Sequence, residues 1–585
     1  MTILKKYTPH LNVSTTALCF TALMIIGGII LRFRYADHLF IYMDENNTIY
    51  NATNHSYQWI VTHFTKKDSC IPLSFYYKVL LDTIGLNEFL MRLPSLIAGS
   101  LTIIIFSSMV WRVSSPLQSI IVCCIMCFSP YFIYLSQLAR PYSIVIFLVL
   151  SATTTLFLWT KEKGRMLYLL LSAFCSSLAI YFHPIVFPAV GALQMYPILL
   201  LVKKSIPLKK RREYYIATIF FIMLTSLLLG PAVTSLISEL SNKGFKGKIL
   251  LDTIRHGLMP ILGLGITIPL LLYFLIAGIG MYSFTKNYKN ETICIVVMVI
   301  AQLVMLVIIR PHGIHRPHCW LRYMAHLIPF WMLCIGAGLS TLVSLILGLR
   351  NQRSSFFAGS IMILLFIGYH FKAHHYPTHY DSFSINPQIN LYYPDKYVLH
   401  NINKILPSPF YHTIANDSSD YMIVEATEAD HYGGCFSVYQ RYHRHRYIKG
   451  IFAAATNNKL NTLYNSDFTT MINVNTLDQL PCAMNVRYLI IHKKIGDEYQ
   501  NVFVQHTFFE QVQQSNPLFR TQAKLDAAAI EEFIRTYINY AFKHQKVTPT
   551  YLKKITAPKI FEDDFIIVYD VRAHCSGTPG SRTAP

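Results

Sequence analysis

The sequence predicts a polytopic α-helical membrane protein that carries a C-terminal soluble α/β domain. Three observations predict it. Charged residues make up only 14% of the 585 residues, where an average soluble chain has about 25%. Apolar runs recur from residue 15 to residue 371, each near the ~20 residues that cross a ~30 Å hydrocarbon core. Beyond residue 371 the apolar runs shrink to strand length and polar residues take over. The mean hydropathy of +0.36 agrees. The expected division is a membrane domain at 1–373 and a soluble domain at 374–585.

The runs at 15–33, 90–111, 117–135, 141–160, 166–182, 184–202, 215–236, 261–284, 293–309, 326–349 and 356–371 predict about 11 spans. The first is not a cleavable signal, because no small-residue cleavage site follows it before Arg32 and Arg34. Short cationic loops face the cytoplasm. With Lys5 and Lys6 inside, alternation puts Arg112 and the loops 161–165, 203–212, 286–289 and 350–353 inside as well. All of these loops are basic, so the odd span count and the orientation support each other. The N-terminus is then cytoplasmic and the C-terminal domain lies outside. The net charge of +21 is partly this topology signal. It calls for no nucleic acid, since the basic residues are scattered over many loops.

The outside loops hold the polar residues that need a reason. Asp44 and Glu45 stand side by side shortly after the first span. Taken alone, such a pair is either a solvated dipeptide or a group that takes a proton or holds a cation. Arg140, Arg310, Arg316 and Arg322 run against the positive-inside trend. Guanidinium forks match phosphate oxygens, and interfacial arginines also meet anionic headgroups. Either reading fits any one of them. Their gathering on the carboxylates' side favours a shared site.

These residues sit in stretches that resemble a known family. Asp44-Glu45 resembles the acidic motif of GT-C glycosyltransferases, more narrowly the bacterial relatives of protein O-mannosyltransferases and of lipid A aminoarabinose transferases. Ile71-Pro72-Leu73 with Phe75, Tyr76 and Tyr77 resembles the proline-aromatic segment of the first external loop. Gly85 to Glu88 and Arg92-Leu93-Pro94-Ser95 resemble the entry to the second span. Ser136, Ala139, Arg140, Pro141 and Tyr142 resemble an external turn, and Arg322-Tyr323 with Pro329 a late motif. Asn46 and Asn47 stand where the family has a small residue, and Pro72 stands alone. Both departures bear on the acceptor more than on the reaction. The resemblance implies transfer of a sugar from a polyprenyl-phosphate donor to an extracytoplasmic lipid, glycan or protein. Arg140, Arg322, Arg316 and His183 would meet the donor phosphate. Pro72, Tyr76, Tyr77 and Arg92 would belong to the substrate loop.

The chemistry follows from the donor. Its leaving group is already installed, so the enzyme must deprotonate the acceptor and stabilise the departing phosphate. Asp44 is the expected base, basic groups offset the phosphate charge, and in-line attack inverts the anomeric centre. Glu45 would orient Asp44, raise its pKa by like-charge repulsion, or hold a divalent cation. No cofactor is required by the sequence, and no metal ligand set is assigned. His183-Pro184 breaks the chain between two spans; the histidine either contacts donor phosphate or simply sits at a helix end. His312, His315, His318 and Cys319 contain zinc-ligand types without a strong ligand spacing. Cys123, Cys124 and Cys127 read as packing residues. Cys70, Cys319, Cys435, Cys482 and Cys575 face an oxidising compartment, with no pairing legible.

In the soluble domain, 420–425, 486–492 and 564–572 read as strands, and 395–405 and 528–542 as helices. The run His443 to Arg446 reads as a solvated basic face, and the tail after His574 as disordered. Two other readings compete. A transporter or flippase for lipid-linked sugars would show inverted repeats and midplane ionisable groups, and neither is evident. A non-catalytic envelope scaffold leaves Asp44-Glu45 and the outer arginines without a common reason. Sequons at Asn51, Asn54 and Asn416 would matter in a secretory lumen. The bacterial resemblance favours a bacterial inner membrane, with membrane lipids, a lipid-linked sugar and an envelope acceptor as partners and the C-terminal domain periplasmic or extracellular.

Overall fold

A computed structural model of the chain describes residues 15–34, 36, 48, 51–52, 55–64, 70–84, 88–113, 116–161, 165–202, 208–243, 270–311, 314, 317–346, 361, 408–419, 421–427, 446–451, 486–492, 557–564 and 566–572. The chain divides into two compact units, residues 1–37 with 47–393 and residues 38–46 with 394–585.

The first unit is helical. Its elements are α1 (Thr15–Phe33), α2 (Tyr57–Thr62), α3 (Ile71–Thr83), α4 (Glu88–Val113), α5 (Pro116–Phe128), α6 (Pro130–Ser136), α7 (Tyr142–Lys161) and α8 (Met166–Phe182). They are followed by α9 (Phe187–Val202), α10 (Leu208–Leu229), α11 (Val233–Lys243), α12 (Leu270–Asn287), α13 (Lys289–Ile309), α14 (Pro317–Met324) and α15 (Ile328–Ile346). Among the described residues, six helices are long and apolar enough to cross a membrane, and three shorter apolar helices accompany them. The expected span at 356–371 lies outside the described residues except Ile361.

Two of the helix breaks fall at a proline, whereas α4 and α9 run through Pro94 and Pro197. The expected span 117–135 divides into α5 and α6 at Ser129-Pro130, and Ser129 is extended (φ −63°, ψ 122°). His183 before Pro184 is extended in the same way (φ −154°, ψ 94°). The proline ring crowds the residue before it out of the helical region. Pro72 does the opposite and starts α3, where its missing N–H has no partner to lose. Glycines set the closest helix contacts. A Cβ on Gly280 of α12 would lie 1.8 Å from the Cys334 carbonyl oxygen of α15. One on Gly338 would lie 2.0 Å from that of Ile276. Small residues let backbones meet where lipid offers no hydrophobic drive. Cys123, Cys124 and Cys127 are buried with Met24, Ile103 and Phe128, as packing residues.

Among the described residues the second unit contains a five-stranded sheet in the order β2-β1-β3-β5-β4. The strands are β1 (Met422–Thr427), β2 (Arg446–Ile451), β3 (Val486–His492), β4 (Lys559–Glu562) and β5 (Ile566–Asp570). β1 pairs parallel to β2 and β3, and β5 pairs antiparallel to β3 and β4. Residues 488–491 and 566–569 are buried, which fits central strands covered on both faces. Phe410 of α16 (Phe410–Ala415) packs on Tyr488 with ring centroids 5.4 Å apart. The Arg487 guanidinium lies over the rings of Tyr421 and Tyr488, 4.8 and 4.7 Å from their centroids, and pairs with Asp417. The Ser419 hydroxyl and N–H donate to Asp417 at 2.6 and 3.0 Å. These hydrogen bonds, aided by Arg487, hold the Asp417 carboxyl down at about 2. The strand expected at 486–492 coincides with β3, those expected at 420–425 and 564–572 are present with shifted ends, β2 and β4 are additional, and the helices expected at 395–405 and 528–542 lie outside the described residues.

Candidate active site

Three chain breaks build the site: the turn 137–141 between α6 and α7, the turn 183–186 after α8, and the segment 317–327 that leads into α15. The first turn is held from below. Ser95 of α4 donates to the Arg140 carbonyl at 2.8 Å. The Tyr77 hydroxyl of α3 lies 3.1 Å from both the Ala139 and the Met91 carbonyls. A Cβ on Gly99 would fall 2.1 Å from Ser136 Oγ, so a bulkier residue there would separate α4 from α6.

The turns then meet one another. Gln302, fully buried on α13, donates to the Ile185 carbonyl at 3.1 Å and the Tyr323 carbonyl at 3.3 Å. The Tyr131 hydroxyl reaches the Leu321 carbonyl at 3.3 Å. At the centre is Tyr142. The His183 ring meets it edge-on at 5.8 Å, and the Arg322 guanidinium lies over its face at 5.7 Å. His326, 1% exposed, lies within electrostatic reach of His183. A guanidinium held over an aromatic face keeps its planar fork oriented at a cost of few lost rotamers. With an imidazole beside it, the set suits a phosphate.

The residues expected from the sequence divide into groups. Arg322 and His183 come together on Tyr142. Arg140 is buried, and its Nη1 donates to Thr48 Oγ1 at 3.2 Å. Arg92 is buried, with Nη1 on the Ala36 carbonyl at 3.2 Å. Tyr76 donates to the Leu90 carbonyl at 2.9 Å. The Tyr76, Tyr77 and Arg92 side chains thus hold backbone. Arg310 is the exposed C-cap of α13, with φ 43° in the left-handed region and its N–H on Leu306. Asp44, Glu45, Arg316, His312 and His315 lie outside the described residues, and among the described residues no group of three or more His, Cys, Asp or Glu could hold a metal. Asn51 of the first sequon is buried. The sequence reading missed Gln137, Gln302 and His326. For Gln302 the available signal was a lone amide inside an apolar span, which must face protein rather than lipid.

No protein-family model matches the chain, and no curated protein does. Solved structures do. ArnT from Cupriavidus metallidurans in the apo state aligns with a TM-score of 0.54 and 10% identity, over 97% of this chain and 100% of that one. The same ArnT bound to undecaprenyl phosphate aligns at 0.52, with the same identity and coverage. The chain has the GT-C fold. The archaeal oligosaccharyltransferase AglB from Archaeoglobus fulgidus, solved with an inhibitory peptide and a dolichol-phosphate, aligns at 0.46 with 13% identity, over 85% of this chain and 71% of that one.

Proposed function

We propose that the protein is a membrane glycosyltransferase that moves a sugar from a polyprenyl-phosphate donor to an extracytoplasmic acceptor, inverting the anomeric centre. One observation carries the reading: Arg322 and His183, far apart in sequence, converge on Tyr142 in a chain with the fold of an ArnT that holds undecaprenyl phosphate. Arg322 and His183 take the donor phosphate, with Arg316 from the same external segment. Asp44 removes the acceptor proton. Glu45 orients Asp44 or holds a divalent cation, and only the second role makes chelation mimic Glu45→Gln. Pro72, Tyr76, Tyr77 and Arg92 shape the loop beside the acceptor. The positive-inside pattern places the N-terminus in the cytoplasm and the domain from about residue 374 outside a bacterial inner membrane.

The bond that breaks is the one from the anomeric carbon to the phosphate oxygen. The bond that forms joins that carbon to the acceptor oxygen or nitrogen, whose proton goes to Asp44. The departing polyprenyl phosphate carries its negative charge away, and the guanidinium stabilises that charge as it grows. Mass spectrometry of envelope lipids and glycans from cells with and without the gene tests the reading. A sugar missing from one lipid, glycan or protein while its lipid-linked donor accumulates on the outer side names the acceptor, whereas the same loss with the donor trapped on the cytoplasmic side would point to a transporter.

A further inference from the structure

We infer that Gln302 and Tyr131 are positioning residues that hold Arg322 and His183 in place for the donor phosphate. The inference rests on the reading of those two as phosphate ligands. Both stand on pieces of chain too short to place themselves. Arg322 belongs to α14, a helix of 8 residues, and His183 leads into a 3-10 turn of 3 residues. A helix shorter than about 12–15 residues is marginal by itself. In a membrane unit, the backbone groups freed where a helix breaks must be satisfied by neighbouring helices.

Two side chains supply these ties. The Tyr131 hydroxyl of α6 donates to the Leu321 carbonyl at 3.3 Å, and Gln302 Nε2 of α13 donates to the Tyr323 carbonyl at 3.3 Å. Leu321 and Tyr323 flank Arg322 in the chain. The same Nε2 donates to the Ile185 carbonyl at 3.1 Å, two residues after His183. A side-chain amide nitrogen carries two hydrogens, one for each carbonyl, so a single residue links the segment of Arg322 to that of His183. Turned the other way, the amide would set its oxygen against two carbonyl oxygens, so the hydrogen-bond network fixes its orientation.

The surroundings argue for position over stability. Gln302 is 0% exposed and Tyr131 2%, and α13 has a mean hydropathy of 3.1. Among the described residues Gln302 Oε1 has no hydrogen-bond partner, and burying an amide oxygen that way is costly. A methionine of similar length would avoid that cost and suit an apolar helix. What the amide adds is two directed bonds between two breaks in the chain. The side chains of those breaks share Tyr142, with the Arg322 guanidinium 5.7 Å and the His183 ring 5.8 Å from its ring centroid. Tyr142 thus meets the two side chains, while Gln302 and Tyr131 hold the backbone that carries them.

The test measures the affinity of the purified full chain, in lipid nanodiscs, for a polyprenyl phosphate and for the matching polyprenol without phosphate. Tyr131→Phe keeps the ring and removes one tie. Gln302→Met keeps the length and removes two. The Kd for the polyprenyl phosphate should rise about threefold in the first and about tenfold in the second, since a misplacement of about 1 Å can cost up to ~10²-fold. The Kd for the polyprenol should stay at its wild-type value in both, which a general loosening of the helical unit would not allow. Arg322→Ala should cost less in the Gln302→Met background than in the wild type, because residues that act through one another do not add. Should Gln302→Met fail to fold, Tyr131→Phe decides through the same two ligands. Wild-type affinity for the polyprenyl phosphate in both variants, with Arg322→Ala weakened, would overturn this inference alone. Equal losses for the phosphate and the alcohol would make both residues mere packing and also overturn it. Unchanged affinity in Arg322→Ala would remove the phosphate reading of Arg322, and this inference with it.

Discussion

The helical unit and the sheet unit use arginine differently. In the sheet, Arg487 pairs with Asp417, and Arg572 with Asp570 at 3.1 Å. In the helical unit, Arg32 and Arg92 hold carbonyls, Arg140 holds a hydroxyl, and Arg322 lies over a ring. A carboxylate pairs with any cation of suitable reach and fails when it is protonated. A carbonyl, a hydroxyl or a ring face does not titrate in the accessible range, so these contacts are indifferent to pH and demand the fork's shape. These helical contacts should therefore break on shape changes, and the Arg487–Asp417 pair on acid.

The largest effect is expected at Asp44, the proposed base. Asp44→Asn keeps the shape and cannot accept the proton at neutral pH. Turnover measured at matched expression should fall by about 10²–10⁴, with the fold retained by size-exclusion profile. Next is Arg322→Ala. A hydrogen bond to a charged group contributes about 1.5–3 kcal/mol, so the donor KM should rise by roughly 10- to 100-fold. Arg322→Lys should recover only part of it, because an ammonium lacks the fork. Donor-dependent initial rates measure both variants. A full recovery by lysine would mean that charge alone matters there, and the contrast with the sheet would lose its basis.

A smaller effect is expected at Tyr142. Tyr142→Phe keeps the ring face and should leave the donor KM near wild type. Tyr142→Ala removes a cation–π contact of about 0.5–2 kcal/mol, and the KM should rise several-fold or more. The smallest effect belongs to the sheet. The Asp417 carboxyl is ordinarily near 3.8 and is held at about 2 in the folded chain. A carboxyl depressed by folding stabilises the fold above its unfolded value. That stabilisation is therefore complete above about pH 3.8 and is lost as pH falls from there through about 2. The partly exposed ion pair at this site contributes about 1 kcal/mol or less. Urea midpoints followed by far-ultraviolet circular dichroism should decline over that window in the wild type and less so in Asp417→Asn. An identical decline in both would assign the acid sensitivity to other carboxylates.

The parts legible in the sequence were those governed by one strong local rule. The run 15–33 coincides with α1, because nothing but hydropathy acts on it. The run 184–202 coincides with a short 3-10 turn at 184–186 plus α9, because Pro184 marks its start. The run 117–135 was read as one span although Pro130 stands inside it; the average hydropathy outweighed the residue that breaks the helix. In the sheet, the central strands β1, β3 and β5 showed through their apolar runs. The two strands missed, RYIKGI and KIFE, are the two edges. Edge strands carry lysine and arginine to discourage further pairing, and that same charge hides them from a hydropathy reading. At the site, Arg322 and His183 stood out in the sequence as polar residues between apolar runs, but their meeting on Tyr142 did not, since that depends on helix packing. Arg140, in the turn 137–141, is buried, which its charge did not announce.

The most direct test of the central claim supplies purified protein in nanodiscs with radiolabelled polyprenyl-phosphate sugar and a crude envelope acceptor fraction, and follows the label. The account predicts that label leaves the polyprenyl phosphate and appears in the acceptor fraction with inverted anomeric configuration. It predicts also that this transfer vanishes in Asp44→Asn and needs more donor in Arg322→Ala. Intact labelled donor after prolonged incubation, with the protein moving that donor across a sealed vesicle instead, would contradict it.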